Sequence, residues 1–155
     1  MNIVIVGGKG FIGKPFAEKL SKTHRVEVWD LPEVDLRDAL SVAKRLGEVK
    51  PDMVINLAAV LGNIYSRNIR EIFEANFLGN INLVEACIAH GVKRFLFASS
   101  LTVHGSNEIG KHCTPGTPFR PTQAYAASKA AAELNLMQYA KHYAPVEDMG
   151  FITND

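Results

Sequence analysis

The sequence predicts an α/β fold, a parallel sheet flanked by helices, and three observations predict it. Short apolar runs rich in β-branched residues alternate with stretches whose apolar residues recur at helical spacing, the pattern of successive βαβ units. The first apolar run ends directly in a glycine-rich loop that opens a helix. The 155 residues are 47% hydrophobic and 21% charged, enough for one ordinary core and incompatible with intrinsic disorder.

Each element follows in order. Asn2 to Val6 is an apolar run closed by glycines, so it reads as a strand buried on both faces. From about Phe11 to Lys22, the residues Phe11, Ile12, Phe16, Ala17 and Leu20 make one helical stripe. Arg25 to Trp29 is a second strand, closed by Asp30. Asp38 to Leu46 is a short amphipathic helix with Asp38 as its N-cap. Asp52 to Asn56 is a third strand. A long helical pattern runs from about Asn68 to His90 and stops at Gly91. Arg94 to Ala98 is a fourth strand, a loop rich in Gly, Pro, Thr and Ser covers Ser99 to about Thr122, and a last helix spans about Gln123 to His142. Right-handed crossovers give an expected strand order of 3-2-1-4. The Rossmann-like domain is expected over residues 1–143, with an irregular tail at 144–155 in which Phe151 to Thr153 is at most a strand stub.

Composition excludes several classes of function. The net charge is +1 and no basic run stands out, so no nucleic-acid partner is expected. No apolar run approaches the ~20 residues that span a bilayer. No signal-peptide pattern opens the chain, which gives a cytoplasmic expectation. Cys87 and Cys113 lack any disulfide or metal-site spacing, and the five histidines match no ligand pattern, so no metal is expected.

Gly7, Gly10 and Gly13 stand three apart between the first strand and the first helix. In that context a first glycine permits a tight turn, a second lets the backbone approach a pyrophosphate, and a third lets helix pack on strand. The helix start supplies free N–H groups and a positive dipole end for the phosphates. Asp30, at the end of strand two, is placed to accept hydrogen bonds from adenosine ribose hydroxyls and to repel a 2′-phosphate. That points to NAD over NADP, with Lys9 as the weaker counter-signal.

Tyr125 and Lys129 lie four apart in the last helix, about 40° apart around its axis. A neighbouring ammonium favours phenolate, so Lys129 is expected to lower the pKa of Tyr125 and make it a general acid/base. Ser100 follows strand four at the carboxyl end of the sheet, where α/β sites form, and could hydrogen-bond a substrate oxygen.

With these residues in view, the sequence resembles the extended short-chain dehydrogenase/reductase family, in particular its NAD-dependent epimerase/dehydratase branch with the nucleotide-sugar 4-epimerases. Val6 to Gly13 (Val-Gly-Gly-Lys-Gly-Phe-Ile-Gly) is similar to the family's Thr-Gly-Gly-x-Gly-Phe-Ile-Gly, with Val6 for Thr. Val34 to Asp38 resembles the segment whose Asp and following apolar residue meet adenine, here Asp35 and Leu36. Asn56-Leu57-Ala58-Ala59 resembles His-Leu-Ala-Ala, with Asn56 for His. Asn76-x-x-Gly79 resembles the helix motif whose Asn lies near the cofactor. Ser99 to Gly105 resembles Ser-Ser-x-x-Val-Tyr-Gly with His104 for Tyr, and Tyr125 to Lys129 resembles Tyr-Gly-x-Ser-Lys.

The resemblance implies catalytic roles for Ser100, Tyr125 and Lys129. It implies cofactor contacts from Gly7, Gly10, Phe11, Ile12, Gly13, Asp30, Leu31, Asp35, Leu36, Leu57, Ala58, Ala59, Asn76 and Ser99, and from Tyr125 and Lys129 themselves. Tyr125 as phenolate would take a proton from a sugar hydroxyl during hydride transfer, Lys129 would hold the nicotinamide ribose, and Ser100 would polarise the developing carbonyl. The family's 4,6-dehydratases carry an Asp-Glu pair where this chain has Leu101 and Thr102, which leaves epimerase or simple reductase chemistry ahead. The matches run from Asn2 to about Glu133, and no counterpart of the family's later strands and sugar-nucleotide region is expected after them. The expected partners are NAD and a nucleotide sugar, with a homodimer left open. Three readings stand: the cofactor portion of an oxidoreductase or epimerase, a non-catalytic NAD-binding module or inactive truncated relative, and a fragment with no independent function.

Overall fold

The computed structural model describes residues 1–61, 68–105, 113–114 and 116–142, and the backbone of 148–152. Strand β1 (Asn2–Val6) is apolar from Ile3 to Val6 because both of its faces are covered there. Val4 and Val6 point into the main core with Val54, Phe95 and Phe97, while Ile3 and Ile5 point the other way with Ile55. That is the period-two alternation of a pleated strand expressed twice over. Helix α1 (Gly13–Leu20) packs Phe16, Ala17 and Leu20 on the Ile3 face. Helix α2 (Ala39–Val49) and the helices described below cover the opposite face through Val42, Leu46, Leu83, Val84 and Leu136. Asp38 caps α2 as expected, its carboxylate accepting from the Ser41 N–H at 3.0 Å.

All strand pairs are parallel, but their order corrects the expected 3-2-1-4. Strands β2 (Arg25–Trp29), β3 (Met53–Asn56), β4 (Arg94–Ala98) and β5 (Asp148–Ile152) join β1 in the order β2-β1-β3-β4-β5. After β2 the chain returns through α2 and adds β3 to the free edge of β1 instead of extending beyond β2. The physical reason is legible in the side chains. β2 alternates Arg25 and Glu27 with apolar residues, which suits an edge open to water. β3 carries no charge and buries Val54 and Ile55 almost completely, which demands an interior position. Asn2 locks the arrangement at the bottom of the sheet: its N–H donates to Asp52 Oδ2 at 2.8 Å and its Nδ2 to the Val49 carbonyl at 2.7 Å.

The helix expected over Asn68 to His90 forms in three segments. Helix α3 (Ile69–Phe73) passes through one π-helical turn (Glu74–Leu78) into α4 (Gly79–Ala89). Gly91, at φ +67°, ends it. After β4 a 3-10 turn (Leu101–His104) precedes α5 (Ala124–His142). The tail expected to be irregular contains β5, paired in register with all of β4 from Arg94 to Ala98. Its five residues include Gly150 and show no strand periodicity, so the pairing is supplied by the free edge of β4 and not by local pattern. Residue 143 and the remaining tail residues, 144–147 and 153–155, lie outside the described residues, as do 106–112 and 115 of the expected loop.

Candidate cofactor site

The chain reverses direction across the sheet between β1 and β3, and a crevice opens there at the carboxyl ends of the strands, the place where α/β sheets hold ligands. It encloses about 250 Å³. Its floor is the glycine loop. Gly7 has φ +77°, and a Cβ there would come within 2.7 Å of the Ala58 nitrogen. At Gly13 a Cβ would sit 2.2 Å from the Gly7 carbonyl oxygen. Only glycine at these two positions lets α1 close on the loop and the loop close on the end of β3. Helix α1 starts with no side-chain cap, and its Lys14 N–H donates to the Gly10 carbonyl at 3.0 Å.

The far end of the crevice is built after β2. Asp30 accepts from the Lys9 N–H at 2.9 Å and from the Leu31 N–H at 3.0 Å, which orients its carboxylate across the loop. The Lys9 ammonium turns away to Glu33 at 2.8 Å, and that bond holds the Glu33 carboxyl below its ordinary range. Arg37 forms a fork with Asp35, 2.6 Å at its shortest, and its hydrogen bonds likewise lower the pKa of Asp35. Lys9 and Arg37 are therefore each neutralised by a carboxylate of their own. Leu36 packs against Gly79, where a Cβ would meet it at 2.9 Å, and Asn82 Nδ2 holds the Leu36 carbonyl at 2.8 Å.

The β3 side is held by two buried asparagines. Asn56 Nδ2 donates to Asn80 Oδ1 at 3.0 Å, and Asn56 Oδ1 accepts from the Ala58 N–H at 3.1 Å, which sets the direction of Leu57 to Ala59. Asn76, in the π-helical turn, accepts from the Val60 N–H at 2.7 Å and donates to the Val60 carbonyl at 3.0 Å. Such a turn inserts a residue into the helix, and here the turn carries the one side chain that clasps both backbone groups of Val60.

A second group gathers at the end of β4. Ser100 caps the 3-10 turn and shares a 2.8 Å hydrogen bond with the Thr102 hydroxyl. Tyr125 is half-buried, and burial raises its pKa, opposed by a hydrogen bond from Ser100. This corrects the expected lowering by Lys129: the ammonium lies instead 4.2 Å over the Phe97 ring. Lys129 is 2% exposed, and burial pulls its pKa down to about 8, opposed by the charge of Glu133. Ser99, also buried, donates its hydroxyl to Glu133.

The crevice thus brings together Gly7, Gly10, Asp30, Leu31, Asp35, Leu36, Leu57, Ala58, Ala59 and Asn76. Gly13 lies buried beneath it, and Phe11 and Ile12 stand exposed at the start of α1. Ser100, Tyr125 and Lys129 form the separate group at β4, and Ser99 faces α5. Sequence reasoning missed Val60, Arg37, Glu71, Ser128 and Glu133. The signal for Glu133 was present, since Tyr125, Lys129 and Glu133 recur every fourth residue on one helical face.

A parallel sheet with a glycine loop at its switch point defines the Rossmann-like class of α/β proteins. Within that class, this chain belongs to the NAD dependent epimerase/dehydratase family, whose model matches residues 3–147. It is 29% identical to the D-erythronate dehydrogenase of Haemophilus influenzae, over 91% of this chain and 50% of that protein. It is 34% identical to a probable UDP-glucuronate 4-epimerase of Rhizobium meliloti, over 76% of this chain and 34% of that protein. The Thermus thermophilus UDP-glucose 4-epimerase, solved as a complex with NAD, superposes with a TM-score of 0.84 at 32% identity, over 99% of this chain and 54% of that one. The chain spans about half the length of the curated relatives it matches first.

Proposed function

We propose that this chain is the NAD-binding portion of an enzyme that acts on a nucleotide sugar by transient hydride transfer at a sugar hydroxyl. The observation that carries the reading is one sheet end with two arrangements on it: a glycine-floored crevice ending in Asp30, and the Ser100, Tyr125 and Lys129 group at β4.

The residues present fit a dinucleotide. The loop is closed where a Cβ would collide, and the uncapped start of α1, with Gly10, Phe11, Ile12 and Gly13, suits a pyrophosphate. Asp30 would take the ribose hydroxyls, and Leu31, Asp35 and Leu36 the adenine. Leu57, Ala58, Ala59 and Asn76 would line the path toward the β4 group. Lys9 and Arg37, the cations described around this end of the crevice, are already paired with Glu33 and Asp35, which favours NAD over NADP. Bound NAD would supply the hydride acceptor. Tyr125, as phenolate, would receive the proton of the sugar hydroxyl, and Ser100 would donate to the oxygen as it becomes a carbonyl. Burial opposes that phenolate, and the Ser100 hydrogen bond offsets it in part. Lys129 would bring positive charge to the nicotinamide ribose. Leu101 and Thr102 supply no acid for water elimination, which favours epimerase or reductase chemistry over 4,6-dehydration.

A homodimer and a cytoplasmic location belong to the same reading. Leu78, Leu134 and Met137 lie exposed, and Cys87 and Cys113 are free thiols. Among the described residues, no helix is long and apolar enough to cross a membrane. Sedimentation should therefore give twice the chain mass, and a monomer at all concentrations would remove the dimer.

Calorimetry with NAD tests the central claim. Binding is expected, with NADP weaker and Asp30→Asn narrowing the gap by about tenfold, or about 1.4 kcal/mol. Silence at millimolar NAD would defeat the reading. With nucleotide sugar added, Tyr125→Phe should abolish turnover and spare NAD affinity. NAD binding without turnover by the wild type would favour the non-catalytic module.

A further inference from the structure

Among the described residues, the aspartates, glutamates, lysines and arginines leave only two members buried: Lys129 at 2% and Glu133 at 7% exposure. The role proposed above uses the first and leaves the second without a task. We propose that Glu133 is a positioning residue that keeps the Lys129 ammonium charged and in place at the nicotinamide end of the site, anchored to the end of β4 through the Ser99 hydroxyl. The inference rests on the NAD reading.

A buried ammonium loses its hydration and must find a compensating partner or give up its proton. The Phe97 ring faces Lys129 at 4.2 Å and attracts the cation, but it accepts no proper hydrogen bond. Glu133 is the anion that opposes the loss, one helical turn further along the face that holds Tyr125 and Lys129. A carboxylate so buried is itself costly unless its oxygens are satisfied. Ser99 satisfies one of them by donating to Oε2. The same bond ties β4, immediately before Ser100, to α5, which carries Tyr125 and Lys129. One carboxylate thereby joins the strand that presents the hydroxyl donor to the helix that presents the base and the cation. Packing alone would be served better by an apolar side chain, as on the neighbouring buried turns at Ala132 and Leu136.

Glu133→Gln separates charge from hydrogen bond, because the amide oxygen still accepts from Ser99 while the negative charge is gone. The test is calorimetry with NAD and with ADP, which carries the adenine end and lacks the nicotinamide ribose. Glu133→Gln is expected to weaken NAD about tenfold and leave ADP unchanged. Lys129→Met is expected to do the same, and the double variant is expected to be no weaker than Lys129→Met. Unchanged NAD affinity, equal weakening of NAD and ADP, or additive losses in the double variant would each overturn the proposal. If Glu133→Gln does not fold, Ser99→Ala carries the test. It should weaken NAD about threefold with ADP unchanged, and an equal effect on both ligands, or none, overturns it. A wild-type chain that binds ADP but not NAD, or neither, overturns the NAD reading and this inference with it. Normal NAD binding with an indifferent Glu133→Gln overturns this inference alone.

Discussion

Asn76 donates its side-chain N–H to the Ser128 hydroxyl at 3.0 Å, across 52 positions of sequence. Ser128 passes the connection on by donating to the Tyr125 carbonyl at 2.7 Å. Asn76 also holds both backbone groups of Val60. A single amide thus ties the loop after β3, which walls the crevice, to the first turn of the helix that carries Tyr125 and Lys129.

The cost of breaking this link should be graded. Asn76→Ala strands both polar groups of Val60 and removes the donor to the Ser128 hydroxyl, so a loss of about 2–3 kcal/mol is expected, with weaker NAD binding. Ser128→Ala leaves Asn76 bonded to Val60 and should cost about 1 kcal/mol. Urea unfolding measures both. Equal costs would mean that the Val60 bonds contribute nothing.

Two glycines separate space from conformation. At Gly13 a new Cβ meets the Gly7 carbonyl oxygen at 2.2 Å, so Gly13→Ala should displace the loop and reduce NAD affinity at least tenfold. At Gly91, φ is +67° and nothing lies within 4 Å of a new Cβ. Gly91→Ala should therefore cost about 1–2 kcal/mol from backbone strain alone and leave NAD binding intact. A Gly13→Ala chain with normal affinity would dismiss the tight-loop argument.

Burial of Lys129 makes stability depend on pH with a definite sign. Its pKa falls from 10.5 in the unfolded chain to about 8 in the fold. Between those values the unfolded chain holds the extra proton, so this residue's contribution improves as pH rises through about 8 toward 10.5. Its charged form costs the fold on the order of 3 kcal/mol at neutral pH. Lys129→Met should be more stable than the wild type at pH 7 by about 1–3 kcal/mol, less than the full cost because Glu133 loses its cation. The advantage should vanish at alkaline pH. Parallel stability curves for the two proteins across that range would refute the assignment.

Tyr125 offers a direct optical test. Burial outweighs the Ser100 hydrogen bond, so in the free protein its phenol should titrate above the ordinary tyrosine value. Ser100→Ala should push it higher still. Subtracting the ultraviolet titration of Tyr125→Phe from that of the wild type isolates this residue from the other tyrosines. A value below the ordinary one would restore Lys129 as the dominant influence.

The sequence by itself determined the strands and helices through β4 and α5, the Asp38 cap, the Gly91 stop and the glycine loop. Each of these depends on a local period, a cap or a turn, and those are written in neighbouring residues. It also nominated most of the crevice, from Gly7 and Asp30 to Asn76, but not Arg37, Val60, Glu71 or Ala75. The tertiary structure alone decided that β3 pairs with β1, that β5 pairs with β4, that Asn76 joins two distant segments, and that burial governs Tyr125 and Lys129. Strand order depends on which edge stays in water, although the charges of β2 carried that hint. Desolvation depends on everything packed around a group, so the spacing that put Lys129 one turn from Tyr125 could not say that its ammonium lies over Phe97 with Glu133 as its counter-charge.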